Sequence, residues 1–180
     1  MKNNSKGFTL IELLAVIVIL GVLMIVAIPA MTRYIENSKR DVFADTAKKY
    51  ITTARYSLIS EGYKNGTETV NVNDISYDST SGKSNAIYIP TSLIKIENGT
   101  NKSPWSKGYD AAWGCIKVTQ GSDGKYEYAF AGMDNGRNGI GGGSTYISET
   151  ALSRSSVVKK TASAPTCGGS GIVVTGINGN

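Results

Sequence analysis

Glu12 is the residue whose chemistry most needs a reason, because it is a carboxylate at the fifth position of an otherwise apolar run that begins at Phe8. A charge carried into a membrane helix is costly, and such residues as a rule have a partner. A cut in the backbone between Gly7 and Phe8 would create one, by turning the Phe8 nitrogen into a free amine. Glu12 lies more than one helical turn from that amine along its own helix, so an amine on a second copy of the chain is the easier partner. The chemistry this implies is registration: one ion pair sets the position of one apolar helix against another.

The remaining reactive side chains are few. Histidine is absent, which removes the commonest general base and the commonest metal ligand together. The only thiols are Cys115 and Cys167. In a domain exported from the cytoplasm an even pair reads as a disulfide, and the alternative is two buried free thiols. Fifty-one residues lie between them, and closing a loop of that length is worth about 4 kcal/mol in the chain-entropy account. Asp134-Asn135-Gly136-Arg137-Asn138-Gly139 has the look of a calcium loop but not its ligand spacing or terminal glutamate, so it reads as a turn. Trp105 and Trp113 read as core and sheet packing in preference to a binding surface. No metal, cofactor or catalytic residue is expected.

The elements that position Glu12 begin with the apolar run. Residues 8–31 number 24, which as a helix span about 36 Å, against about 30 Å for a bilayer's hydrocarbon core. Lys2 and Lys6 precede the run, so the N-terminus is expected in the cytoplasm and the rest of the chain outside. A secretory signal peptide would have a shorter apolar region ending in small residues. Here Ala27-Ile28-Pro29-Ala30 puts Ile28 where a small residue is required.

The sequence Lys6-Gly7-Phe8-Thr9-Leu10-Ile11-Glu12 resembles the processing site of type IV pilins and pseudopilins. The resemblance covers about residues 1–62 well and is only architectural beyond. It implies a leader, residues 1–7, removed by a prepilin peptidase between Gly7 and Phe8, N-methylation of Phe8, and an assembly role for Glu12. It further implies further copies of the chain as partners in a helical filament, together with an assembly platform and its ATPase. The membrane holds the precursor before assembly, and the mature subunit ends in an extracellular pilus. Gly21 and Pro29 also sit where many members carry a glycine and a proline. In that family the segment between them can lose helicity in the filament, whereas the isolated subunit is expected to be helical there.

After Pro29 the pattern becomes amphipathic. Ile35, Val42, Phe43, Ala47, Tyr50, Ile51, Ala54 and Leu58 recur at three- and four-residue spacings, and Gly62 is a stop signal. The charges at Arg33, Glu36, Lys39, Arg40, Asp41 and Asp45 alternate in sign and read as a solvated face, or as pairing between copies. The expected fold is therefore α+β: one helix of about 54 residues, its C-terminal half packed on a small antiparallel β-sheet head. Residues 8–30 form the membrane or filament-core half, 31–62 the amphipathic half and 63–180 the head.

Within the head, 63–111 is a connecting region with turns at Asn65-Gly66, Ser81-Gly82 and Asn98-Gly99, and short strands at 86–89 and 93–96. The sheet and C-terminal loop occupy 112–180. They comprise a hairpin of 112–120 and 125–133, a glycine-dense loop at 132–144, and strands at 144–148 and 170–177. From residue 62 onward 11 basic residues face 9 acidic ones, a balance unlike the basic patch of a nucleic-acid binder. Three functions compete on these grounds. The first is a structural pilus subunit. The second is a pseudopilin of a secretion or DNA-uptake system. The third is a membrane-tethered enzyme, which leaves Glu12 and the Gly7-Phe8 junction unexplained.

Overall fold

Helix α1 (Leu10–Ser60) is 51 residues long and contains Pro29 without interruption. The computed structural model describes residues 7–65, 68–96, 102–108, 113–167 and 173–175. They form two compact units divided inside α1, one ending at Ser38 and the other beginning at Lys39. The helix stops where the sequence asks it to. Gly62 adopts φ 70°, and its N–H donates to the Ser57 carbonyl at 2.7 Å. A side chain at Gly62 would sit 2.7 Å from the Val70 carbonyl oxygen, so the left-handed C-terminal position is reserved for glycine.

The strands follow as β1 (Tyr63–Asn65), β2 (Glu68–Val70), β3 (Tyr77–Asp78), β4 (Lys83–Ser84), β5 (Ala86–Pro90), β6 (Gly114–Gln120), β7 (Tyr126–Met133), β8 (Gly139–Ile140), β9 (Ile147–Ser148), β10 (Val157–Val158) and β11 (Val173–Thr175). Strands β1 and β2 pair as one hairpin and β3 with β4 as another, the latter turning through Ser81 and Gly82. The main sheet runs β10-β8-β7-β6-β5-β11, with β9 also paired to β7, and every pairing in it is antiparallel. The fold class is α+β, as expected. Hairpin β6–β7 is the spine, with Ile116 opposite Phe130 and Val118 opposite Tyr128.

Three expectations need correction. Residues 93–96 are not a strand; Thr91–Leu93 is a 3-10 turn. The glycine-dense stretch 132–144 is not all loop, because β7 continues to Met133 and β8 pairs with it through Gly132 and Ile140. Glycine there allows close approach. A side chain at Gly139 would lie 2.2 Å from the Gly132 carbonyl oxygen, and one at Gly132 would meet the Phe130 ring at 2.8 Å. The connecting region also holds two hairpins, β1–β2 and β3–β4, whose strands are too short to show alternation. Finally, Ile35 and Val42, read as part of the buried stripe, are exposed. The turn at Asn98-Gly99, part of that at Asn65-Gly66, and residues 170–172 and 176–177 of the terminal strand lie outside the described residues.

The core of the second unit is built by one face of α1 against the sheet. Phe43, Ala47, Ile51, Ala54 and Leu58 are fully buried with Ile87, Ile89, Ile116, Val118 and Phe130 in one cluster. Each large aliphatic or aromatic side chain removed from water in this way contributes about 1.5–3 kcal/mol. Trp113 joins the elements: its ring meets Phe43 at 5.8 Å, Tyr50 at 5.1 Å and Phe130 at 5.5 Å, all edge-on or tilted. Two polar ties hold the region after β9 to the helix. Arg55 pairs with Glu149 and lies 4.5 Å over the Tyr128 ring. Arg154 pairs with Asp41, its Nε 2.9 Å from Oδ1.

Candidate functional site

The described residues of the first unit form no core. Every large apolar side chain from Phe8 to Met31 is between 46% and 83% exposed. A continuous apolar surface of this size is not stable against water, and it marks a segment that meets lipid or other protein. This is also the one helix among the described residues long and apolar enough to cross a membrane. Gly21 faces open space, with nothing within 4 Å of where a side chain would begin. Such a bare helix surface permits another helix to come close. Pro29 deprives the Ile25 carbonyl of its intrahelical donor, and one turn on the Thr32 hydroxyl donates to the Ile28 carbonyl at 2.9 Å.

At the start of this helix Glu12 is already engaged. Its Oε2 accepts the Thr9 backbone N–H at 2.9 Å and the Thr9 hydroxyl at 2.6 Å, while the Glu12 N–H donates to the Thr9 Oγ1 at 3.4 Å. Thr9 is thus the N-cap and Glu12 the third helical residue of a reciprocal capping box. The spacing Thr9-x-x-Glu12 is the signal that reveals it, and reading Glu12 only as an ion-pair partner passes over it. The box moves the helix start from Phe8 to Leu10. It also brings the carboxylate back to within one residue of Phe8, nearer than helical position alone suggests. Residues 1–6, the rest of the expected leader, lie outside the described residues.

Cys115 and Cys167 form a disulfide with Cα atoms 5.6 Å apart. Cys115 is fully buried in β6, and the bond ties the C-terminal segment to the hairpin. The segment is also held by backbone bonds from Gly143 N–H to the Ala164 carbonyl and from Thr166 N–H to the Gly143 carbonyl. Asp134 has no capacity left for calcium. Its buried carboxylate accepts from the Ser103 hydroxyl, the Gly136 and Asn138 backbone N–H groups and the Asn138 amide. The residues expected to form a turn do so. Among the described residues no cluster of three or more acidic or thiol groups is arranged to hold a metal.

Among the described residues of the second unit, the ionisations that are displaced move away from neutrality. The Arg154 guanidinium holds the Asp41 carboxyl below its ordinary range, and burial pushes the Tyr50, Tyr63, Tyr128 and Tyr146 hydroxyls up. A general acid or base working at neutral pH needs the opposite displacement.

Residues 2–28 match the model of the prokaryotic N-terminal methylation motif. A fimbrial protein of Moraxella nonliquefaciens is 46% identical over 56 residues, covering 29% of this chain and 36% of that protein. A type IV major fimbrial protein, FimA, of Dichelobacter nodosus is 54% identical over 39 residues, covering 22% of this chain and 24% of that protein. The chain therefore spans little more than a third, at most, of the length of these curated relatives. No solved structure matches it. The motif match falls where the exposed helix and the capping box lie.

Proposed function

From a chain whose N-terminal segment carries the methylation motif of prokaryotic pilins, we infer a structural subunit of a type IV pilus, polymerised through α1. The observation that carries this is the pairing of an unburied apolar helix surface with a single acid at its start. Lipid satisfies that surface before assembly, and the same helices of other copies satisfy it afterwards. The prepilin peptidase removes residues 1–7, Phe8 becomes the methylated N-terminus, and Glu12 faces the Phe8 amine of a neighbouring subunit. The precursor lies in the cytoplasmic membrane with its N-terminus inside and residues 63–180 outside. An assembly platform and its ATPase drive its extraction into an extracellular filament.

A pseudopilin shares every N-terminal residue used here; the fimbrial descriptions of the relatives favour the pilus. Mass spectrometry of the native protein tests the reading. A mature chain beginning at methylated Phe8 is the expected result. An intact Met1 to Gly7 leader on the surface-exposed protein would overturn it and return the tethered-enzyme reading.

A further inference from the structure

The face of the β6–β7 hairpin that carries Lys117, Thr119 and Glu127 bears a groove of about 370 Å3. Its floor follows from the cross-strand register. Lys117 stands opposite Ala129 and Thr119 opposite Glu127, so a methyl group occupies the position between two long charged side chains. Tyr146 forms one wall. Its ring meets Tyr88 edge-on at 5.7 Å and its hydroxyl donates to the Thr166 carbonyl at 2.5 Å, which fixes the ring at both ends. Thr145 brings a further hydroxyl to the rim.

Three properties define what fits. The volume lies at the lower end of the range of about 300–1,000 Å3 for ligand pockets, which suits one or two small rings and not a helix or a lipid chain. Lys117 and Glu127 form no ion pair among the described residues, although opposite charges on neighbouring strands commonly pair. Each therefore keeps free hydrogen-bonding capacity, one as donor and one as acceptor. One charge of each sign cancels any preference for an anion, so phosphate and carboxylate ligands gain nothing net. We propose that this groove binds a neutral sugar residue, whose hydroxyls donate to Glu127 and accept from Lys117 while its C–H face lies against the Tyr146 ring.

The test is saturation-transfer NMR on the full chain in a non-glycosidic detergent. The probes are the methyl β-glycosides of glucose, galactose and N-acetylglucosamine. Saturation transfer to the ring protons of at least one probe is expected. Lys117→Met and Glu127→Gln should each weaken it about tenfold, the loss of one charged hydrogen bond, with Lys64→Met on β1 unchanged. Near-UV circular dichroism establishes that each variant is folded. The proposal is overturned by no transfer to any of the three probes, by equal transfer in the wild type and both groove variants, or by displacement of the sugar with glycine or inorganic phosphate. The measurement is made on the unassembled chain, so a negative result leaves the filament reading intact.

Discussion

Removing the disulfide by the paired change Cys115→Ala and Cys167→Ala should destabilise the second unit without touching the apolar helix. The bond closes a separation of 52 residues, for which loop-closure entropy gives about 4 kcal/mol. The unit runs from Lys39 to Asn180. Its unfolding entropy at about 2 cal/mol/K per residue is then roughly 0.3 kcal/mol/K, so the midpoint should fall by about 13 °C. Near-UV circular dichroism is the appropriate signal, because Trp105 and Trp113 pack against Phe43 in the core and report its integrity. The full chain in detergent, with and without reductant, provides the comparison. Reduced wild-type protein should match the paired variant. The C-terminal segment keeps other tethers, among them the two backbone bonds to Gly143, the bond from the Ala162 N–H to the Arg137 carbonyl and the bond from the Tyr146 hydroxyl to Thr166. A fall in stability below about 1 kcal/mol, the worth of one ordinary hydrogen bond, would show that the cross-link removes little freedom from the unfolded chain, and the entropic reasoning would fail.

On the filament reading, Glu12→Gln and Glu12→Ala should both abolish sheared surface filaments while leaving the near-UV spectrum of the second unit unchanged. Normal filament yield from Glu12→Gln would show that capping, and not charge, is what assembly requires. Gly132→Ala places a methyl 2.8 Å from the Phe130 ring and 2.9 Å from the Trp113 carbonyl oxygen; overpacking of this kind costs about 1–3 kcal/mol, and denaturant titration should read a loss in that range. Asp41 is held below its ordinary pKa first by its bond to Arg154, against the opposing effect of desolvation. Its contribution is therefore present above the unfolded carboxylate value of about 3.9 and is lost as pH falls through the lower folded value. Asp41→Asn should flatten the acid limb of the thermal midpoint measured from neutral pH downward, and identical acid limbs would refute the assignment.

Much of the molecule was legible because burial writes a period into the sequence. Phe43, Ala47, Ile51, Ala54 and Leu58 repeat with the helix, and the buried Tyr128 and Phe130 alternate with the less buried Glu127 and Ala129 along β7, so both elements declare themselves. Strands of two or three residues have no room for a period, which is why β3, β4 and β10 were invisible. Gly132 and Gly139 misled for a different reason. A glycine can mark a turn or a place where two backbones meet, and composition does not distinguish the two; only the neighbouring Gly132 carbonyl and Phe130 ring do. Ile35 and Val42 have the spacing of a buried stripe but stay exposed, because spacing names a face of the helix and says nothing of how far along it the sheet extends.

At Glu12 the sequence carries two messages. A carboxylate near the start of an apolar helix calls for a cation, yet the same carboxylate three residues after a threonine calls for a capping box. The geometry makes these roles compatible. Both bonds from Thr9 fall on Oε2, and Oε1 has no hydrogen bond among the described residues. An ionised carboxylate has room for about four such bonds, so an amine arriving at Oε1 need not displace the cap. Capping also satisfies a backbone N–H that a bilayer could not hydrate. On the filament reading, Glu12 can therefore wait in the membrane as part of its own helix and still present an open oxygen to the next subunit. A glutamine in its place has one oxygen: used for the cap, it leaves an amide NH2 group facing the incoming ammonium. That is why the glutamine variant, closer in shape than alanine, is the sharper test of what the charge is for.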